Sequence, residues 1–448
     1  MENKLTRKYG LITAICMVVG TVIGSGIFFR NEQILASIGN QMWIGVAAWV
    51  VGGFITLTAA YVFATLASRH EKVGGIVDYS EAILGKTYGY VFGWFMATIF
   101  YPTMTGILAW VTARFTVILF GWEANPNFSA YTYMQALFYL ITIYVLNVLS
   151  PKLAGKFQVS TAFIKVVPLI AMGIVGTIAG LSNGTTLSNI QSDYVPALAG
   201  NPFFAALIAT VFAYLGWDAV VAINSEVKNS KRNLPIALIS GMLIIITIYV
   251  LYFVGIFSAA PLEDLAGGEG VRGAFINIFG GNAGTLLFVF IVISCLGTLN
   301  GLTVCAQRAF YIVAMRNHGP RPDVLSQVDD ATNAPNNAAA LSLLLIAGWM
   351  MAHGANFAGW YGDFFLDLPG IVPIAFQGFL IPVFIGVIRK QKDMSVVSRF
   401  VVPLLATAGS AFLIFTIIYN YRLDLIWFGF IFAVIMTVGV AFYFKTKT

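Results

Sequence analysis

The sequence predicts an all-α polytopic membrane protein, and three observations lead to this fold class. The chain of 448 residues is 59% hydrophobic and only 10% charged, whereas a soluble domain carries about 25% charged residues. Its apolar segments reach the length of about 20 residues that a membrane-spanning helix needs. Its Lys and Arg residues recur in short tracts between these segments. A nucleic-acid-binding protein would cluster them in a patch, so the expected partner is the lipid bilayer and not a nucleic acid.

The apolar segments predict one transmembrane unit over residues 1–448. The connections between them are too short for a separate soluble domain. Cys16, Cys295 and Cys305 lie inside apolar segments without metal-ligand spacing, so we expect neither a metal nor a cofactor. Twelve transmembrane helices are expected near 10–36, 43–67, 88–120, 131–149, 156–181, 202–225, 236–260, 282–315, 338–353, 364–388, 400–419 and 425–444.

The basic residues predict the orientation in the membrane. Of the 25 Lys and Arg residues, 20 fall on one side of this arrangement, one lies within a span, and the other side keeps only Arg30, Arg114, Arg272 and Arg422. Because positive charge collects on the cytoplasmic side, we expect both termini in the cytoplasm. An even number of spans agrees with this orientation.

The first span contains a weak point near its middle. Three glycines and a serine fall between Gly20 and Gly26, and each glycine inside a helix costs roughly 1 kcal/mol relative to alanine. A helix opened around Ser25 would expose unpaired N–H and C=O groups, which the helix dipoles make attractive to an anion and a cation. Such a break can hold a zwitterion. Alternatively, Gly20 and Gly24 form a seam for close helix packing.

A second candidate interruption lies in the sixth span. Aromatic residues surround Gly216 there, and Asp218 follows. If the fold consists of two five-helix halves, spans one and six occupy corresponding positions. Paired interruptions of this kind point to the central site of a transporter. Ordinary packing of a helix rich in aromatic residues is the alternative.

Lys165 lies at mid-depth in the fifth span. It follows Lys156 by nine residues, about 13 Å along a helix, and an ionisable residue so deep is a functional candidate. We expect carbonyls of span one and a hydroxyl such as that of Ser294 to hold its ammonium, which would replace a coupling cation. A purely structural amine is the alternative. No acidic residue is expected near this pocket. Asp367 lies near the end of its span and is expected to be in contact with water. His353 is assigned no role.

Several stretches resemble one transporter family. The stretch "VGTVIGSGIF" and the segment beginning "FAYLGWDAVV" are similar to the first and sixth helices of the L-amino acid transporter family, within the amino acid–polyamine–organocation superfamily. The stretches "NVLSPKLAGKFQVSTAFIKVVP" and "SCLGTLNGLTVCAQRAFY" resemble its fifth and eighth helices. The resemblance implies a LeuT-like 5+5 inverted repeat with broken helices 1 and 6. The repeats would span 10–181 and 202–388, and helices 11 and 12 would occupy 400–444.

The same resemblance implies roles for individual residues. Gly24 would lie at the break, Phe212 would be an aromatic gate over the substrate, and Lys165 would occupy a sodium-like position. The substrate carboxylate would meet the backbone amides of Ser25, Gly26 and Ile27. The amino group would meet the carbonyls of Val22, Ile23, Phe212, Ala213 and Leu215.

The sequence thus predicts an exchanger and not an enzyme. Among bacterial members the chain resembles alanine–serine–cysteine and serine/threonine exchangers, which implies sodium-independent exchange of small neutral L-amino acids across the bacterial inner membrane. Animal members bind a glycoprotein through a cysteine between helices three and four. This segment lacks one, so no disulfide-linked heavy chain is expected. A proton-coupled symporter, in which Lys165 loses its proton during the cycle, remains the alternative. Motifs of an intramembrane enzyme or of a channel filter are not evident.

Overall fold

The computed structural model describes residues 10–69, 75–122, 125, 127–194, 200–222, 227–265, 270–329, 332, 334–362, 364–421 and 424–445. These residues form helices and no β-strand. In chain order the helices are α1 (Leu11–Val22), α2 (Ser25–Ile38), α3 (Met42–Arg69), α4 (Gly75–Leu84), α5 (Lys86–Phe120), α6 (Ala130–Leu149), α7 (Pro151–Ile164), α8 (Val166–Ser182), α9 (Thr185–Gln191), α10 (Pro202–Ala213), α11 (Trp217–Ala222), α12 (Ser230–Phe257), α13 (Leu262–Leu265), α14 (Gly270–Phe279), α15 (Gly281–Ala314), α16 (Pro322–Leu325), α17 (Asn336–Phe357), α18 (Leu368–Lys390), α19 (Val397–Tyr421) and α20 (Asp424–Lys445).

The polytopic all-α class is confirmed. Within the described ranges, nine helices are long and apolar enough to cross a membrane, or up to eleven if each of two bent helix pairs counts as one span. The helix α10 is a shorter apolar helix. Each of the twelve windows overlaps at least one helix, but the number of twelve spans stays a prediction. The cytoplasmic position of the termini also stays one, because residues 1–9 and 446–448 lie outside the described residues.

The first span is interrupted where the glycines predict it. The helix α1 ends at Val22, α2 begins at Ser25, and the two segments are bent by 47°. Between them, Ile23 (ψ 115°) and Gly24 (φ −154°, ψ −151°) have extended backbones. The regular ladder of α-helical hydrogen bonds therefore stops inside an otherwise apolar span.

The second interruption lies in the predicted sixth span. The helix α10 ends at Ala213 and α11 begins at Trp217. Between them Gly216 has φ +106°, a conformation that glycine adopts at no steric cost and other residues rarely do. A Cβ atom on Gly216 would lie 2.7 Å from the carbonyl oxygen of Thr21. Glycine is therefore required both for the turn and for its contact with the end of α1.

The glycines of the first break also permit close packing. A Cβ atom on Gly26 would lie 2.6 Å from Cα of Ala213, and one on Gly24 would lie 2.4 Å from Oγ1 of Thr298. Close packing at Gly24 and the break in the helix therefore occur together, whereas the packing role of Gly20 stays a prediction. The glycines interrupt the helix and bring α2 against α10 and α15.

Candidate functional site

The two interruptions meet at a cavity of about 90 Å³. Of the predicted site residues, seven line this cavity: Val22, Gly24, Ser25, Gly26, Phe212, Ala213 and Leu215. Ile23 and Ile27 are fully buried and do not contribute to the described lining. The rest of the lining comes from Thr21, Phe100, Tyr101, Met104, Leu108, Gln158, Gly216, Asp218, Thr298, Gly301, Leu302 and Cys305.

The amino end of α2 provides hydrogen-bond donors at this cavity. Ser25, Gly26 and Ile27 are the first three residues of α2, and the N–H groups at this end of a helix have no acceptor within the helix. Gly24 precedes them and supplies no side-chain cap. Unpaired amides and the positive end of the helix dipole together favour an anionic group such as a carboxylate.

The carbonyl ends of the two broken helices share one hydroxyl. Tyr249 on α12 is fully buried, and its hydroxyl lies 3.2 Å from the carbonyl oxygen of Val22 and 3.0 Å from that of Ala213. Tyr249 thereby ties the two interruptions together. Each carbonyl oxygen has two lone pairs, so both can accept a further hydrogen bond. Sequence reasoning missed Tyr249, because nothing in its surroundings distinguishes it from the other aromatic residues of that span.

Lys165 contacts the first broken span directly. Its side chain is fully buried, and Nζ donates to the carbonyl oxygen of Gly20 at 3.0 Å and to Oγ1 of Thr298 at 3.2 Å. The expected hydroxyl, that of Ser294, lies one helical turn before Thr298 and has no hydrogen-bond partner among the described residues. Thr298 Oγ1 in turn donates to the carbonyl oxygen of Ser294 at 3.0 Å. The hydroxyl at Lys165 is therefore that of Thr298 and not that of Ser294.

An acidic residue lies at the cavity, contrary to the expectation from the sequence. Asp218 lines it and is 7% exposed, and Tyr101 donates a hydrogen bond from its hydroxyl to Oδ2 of Asp218 at 3.2 Å. The expectation failed because the turn at Gly216 brings the first helical turn of α11 back toward the break. A hydroxyl, thiol or amine on a ligand side chain could donate to this carboxylate.

A buried amide network supports the cavity wall formed by α7. Asn300 donates to Oε1 of Gln158 at 3.1 Å, and Asn147 donates to Oδ1 of Asn300 at 2.9 Å. Asn300 also donates to the carbonyl oxygen of Ala154 at 3.2 Å. Gln158 lines the cavity, so the network fixes the position of a polar group at the site.

A buried ion pair covers the ring of Phe212. The guanidinium carbon of Arg30 lies 5.5 Å from the ring centroid of Phe212, and Nη1 of Arg30 lies 3.6 Å from Oδ1 of Asp367. Both charged side chains are at least 96% buried, so the expectation that Asp367 is wetted is wrong. Asp367 caps α18 through the amide of Gly370, which ties the second half of the first span to α18.

These features define a class of protein. An apolar span and a second apolar helix are both interrupted around one cavity, where backbone groups of opposite polarity converge, and this is an arrangement found in membrane transporters. The chain belongs to the amino acid permease family, whose sequence model matches residues 9–441.

Several proteins of known name are similar to it. The serine/threonine exchanger SteT of Bacillus subtilis (strain 168) is 29% identical over 347 residues, which cover 77% of this chain and 76% of SteT. The human b(0,+)-type amino acid transporter 1 is 26% identical over 423 residues, covering 92% of this chain and 82% of that transporter. The human cystine/glutamate transporter is 25% identical over 337 residues, covering 74% and 65%. These similarities support the resemblance to the L-amino acid transporter family, and the family is one of transporters.

Proposed function

We propose that this protein is a sodium-independent exchanger of small neutral L-amino acids such as alanine, serine, cysteine and threonine. The observation that carries the proposal is the convergence of two broken helices on one cavity. Uncapped amides at Ser25, Gly26 and Ile27 would bind the carboxylate, and the carbonyls of Val22, Ile23, Phe212, Ala213 and Leu215 would bind the amino group.

The cavity supports a small substrate. Its volume of about 90 Å³ is several times the roughly 15 Å³ that one water molecule needs, so a small amino acid can be accommodated. Asp218 adds an acceptor at the wall, which would favour a substrate whose side chain carries a hydrogen-bond donor, such as serine, threonine or cysteine. The name of the bacterial relative SteT agrees with such a substrate.

Lys165 supports sodium-independent transport. Its ammonium occupies a position between the broken first span and α15, where it would replace a coupling cation. The alternative is a proton-coupled symporter in which Lys165 releases its proton during the cycle. The burial of Lys165 favours neither mechanism over the other, so the two must be distinguished by transport measurements.

The remaining parts of the proposal concern the fold and the membrane. We propose twelve spans in a LeuT-like arrangement of two inverted five-helix repeats, 10–181 and 202–388, followed by two helices in 400–444. The two repeats would rock around the central site by alternating access, with Phe212 as the gate. The chain would lie in the bacterial inner membrane with both termini in the cytoplasm and would act without a disulfide-linked heavy chain.

Reconstituted vesicles test this proposal. We expect uptake of labelled L-serine to require an amino acid inside the vesicle and to be independent of sodium. A competition panel of the twenty amino acids should show the strongest inhibition by small neutral ones. Uptake into empty vesicles that is driven by a pH gradient would support the symporter instead, and flux that does not saturate would indicate a channel.

A further inference from the structure

An apolar groove of about 420 Å³ lies between α5, α18 and α20. Its described lining includes Tyr88 of α5, Phe379 and Pro382 of α18, and Phe432 of α20, and contains no charged residue. The volume is well above the roughly 15 Å³ that one water molecule needs. Because the three helices are candidate membrane spans, hydrocarbon from the bilayer is the material that can fill this groove.

Small residues keep the groove open. Gly378 of α18 and Gly429 of α20 both line it. A Cβ atom on Gly429 would meet nothing within 4 Å, and one on Gly378 would make only an ordinary contact with Ile414 at 3.6 Å. No close backbone packing therefore accounts for these two glycines, and the space beside them is available to a ligand.

The width of the groove is set by contacts between α20 and α5. Trp94 donates from Nε1 to the carbonyl oxygen of Ile435 at 2.9 Å, and Tyr90 donates from its hydroxyl to that of Gly439 at 2.7 Å. Only 11% of the most apolar stretch of α20 is buried. The helix α20 is thus fixed along α5 while most of its surface, including the side toward the groove, is left for other molecules.

Each of the three helices that line the groove has a lysine at the end that the basic residues assign to the cytoplasm. Lys86 is the first residue of α5, Lys390 is the last of α18, and Lys445 is the last of α20. All three side chains belong to exposed residues. We call this set of three residues the lysine corner.

Hydrogen bonds show that the members of the lysine corner lie close to one another. Nζ of Lys390 donates to the carbonyl oxygen of Ile83 at 2.7 Å, three residues before Lys86. The hydroxyl groups of Thr87 and Tyr443 lie 2.8 Å apart, and these residues adjoin Lys86 and precede Lys445 by two positions. The ends of α5, α18 and α20 therefore present their ammonium groups at one place.

The carboxylates nearest to the lysine corner are engaged elsewhere. Glu81 accepts from Nε of Arg316 at 2.9 Å, and Asp393 pairs with Arg69. An ammonium group has three N–H donors, so Lys390 can donate to another acceptor besides Ile83. The corner thus carries an excess of positive charge at the membrane surface, where basic residues attract anionic lipid headgroups.

The distance between the lysine corner and the groove suits a phospholipid. Pro382 precedes Lys390 by eight residues, which is about 12 Å along α18. One leaflet has about half of the 30 Å thickness of the hydrocarbon core. An acyl chain whose headgroup lies at the lysines can therefore reach into the groove.

We propose that the groove and the lysine corner together form a binding site for one anionic phospholipid of the cytoplasmic leaflet. The phosphate group accepts hydrogen bonds from the three lysines, and an acyl chain lies between Phe379 and Phe432. The lipid completes the packing of α20 against α18. The groove shares no lining residue with the central cavity, and the inference does not depend on the substrate that the protein transports.

Native mass spectrometry of the full chain, released from detergent, measures this binding. The protein is titrated with dioleoyl-phosphatidylglycerol, which is anionic, and with dioleoyl-phosphatidylcholine, which has the same acyl chains and no net charge. We expect one phosphatidylglycerol molecule to bind at least tenfold more tightly than any phosphatidylcholine.

Substitution of the lysines tests the headgroup contacts. The triple variant Lys86→Gln, Lys390→Gln, Lys445→Gln should weaken the tight phosphatidylglycerol site roughly a hundredfold, about fivefold for each lysine, and leave phosphatidylcholine binding unchanged. The matched control replaces three exposed lysines away from the groove, Lys156, Lys228 and Lys231, by glutamine and should bind like the wild type.

Filling the groove tests the acyl-chain contacts. Gly429→Phe places a ring in the groove without a clash at Cβ and should remove the tight site while the three lysines are still present. Gly348→Phe is the matched control, because a Cβ atom on Gly348 also meets nothing within 4 Å and Gly348 lies on α17, outside the described lining.

Each contrary result overturns a stated part of the proposal. Equal binding of both lipids by the wild type would show that the groove does not select an anionic headgroup. Wild-type affinity in the triple lysine variant would remove the lysine corner from the site, and wild-type affinity in Gly429→Phe would remove the groove. Loss of the tight site in either control variant would place the lipid elsewhere on the protein.

Discussion

The ammonium of Lys165 donates to the carbonyl oxygen of Gly20 at 3.0 Å. Gly20 lies in the last turn of α1, where carbonyl groups have no intrahelical donor. The second donation, to Thr298 at 3.2 Å, extends the link to α15. One buried side chain therefore connects the junction of α7 and α8, the broken first span and α15, the elements that would have to move relative to one another when the central site opens.

We expect Lys165→Ala to slow exchange by roughly tenfold to a hundredfold, since a hydrogen bond from a charged group contributes about 1.5–3 kcal/mol and each 1.4 kcal/mol changes an equilibrium about tenfold. Without the ammonium, the carbonyl of Gly20 loses its donor and the end of α1 loses its support. The measurement is exchange of labelled L-serine in vesicles that contain equal amounts of folded protein.

Lys156→Ala is the matched control for this substitution. Lys156 belongs to the same predicted span but is exposed, so its removal should leave the rate near that of the wild type. A Lys165→Ala variant that elutes as a single folded species and still exchanges at the wild-type rate would refute the role of the amine.

The sequence was sufficient for those parts of the site that depend on local chemistry. The glycines of the first span predicted the break between Val22 and Ser25, because the low helix propensity of glycine weakens the helix at the position of the glycine itself. The rise of a helix likewise predicted a Lys165 far from the end of its span, and its side chain is buried against the first span. The candidate residues Ser294 and Thr298 differ by one helical turn, and the choice between them depends on how far α15 is rotated, which the sequence does not specify.

The contacts between distant parts of the chain could not be predicted. Arg30 and Asp367 are far apart in sequence, and neither has a neighbour that marks it as a partner of the other. Each would ordinarily be assigned to a wetted helix end. Tyr249 is one of many aromatic residues, and its hydroxyl acquires importance only when the two breaks lie next to each other. These features arise from tertiary packing, for which a single sequence has no local signal.

We expect Gly26→Val to abolish substrate binding. From the sequence, a side chain at this position would occupy the place of the carboxylate. The structure gives a different reason, because the added Cβ atom would lie 2.6 Å from the backbone of Ala213 and would force α2 away from α10. Equilibrium dialysis with labelled L-serine measures the loss.

The control for this prediction is a glycine without near neighbours. A Cβ atom on Gly348, within α17, would meet nothing within 4 Å. Gly348→Ala should therefore bind L-serine normally, and the higher helix propensity of alanine favours the same fold. If Gly26→Val kept the wild-type affinity, the broken helix could not be the binding site.

We expect Phe212→Ala to lower the turnover of exchange severalfold. The ring lines the central cavity, and the guanidinium carbon of Arg30 lies 5.5 Å from its centroid. Its removal would open the wall of the central cavity on the side of Arg30 and would impair occlusion of the substrate. The rate at saturating L-serine is the quantity to compare with Phe138→Ala, a control at a 60% exposed position. An unchanged rate in Phe212→Ala would remove Phe212 as a gate.

The buried pair of Arg30 and Asp367 should be strongly coupled in stability. Removing one partner of such a pair leaves an uncompensated buried charge and costs about 3–5 kcal/mol. Arg30→Gln and Asp367→Asn should each lower the melting temperature, and the double variant should lower it by clearly less than the sum of both. The exposed pair of Arg69 and Asp393, whose side chains are 31% and 72% exposed, is the matched control, since surface pairs contribute about 0–1 kcal/mol. Strictly additive effects at the buried pair would show that the two charges do not hold α2 and α18 together.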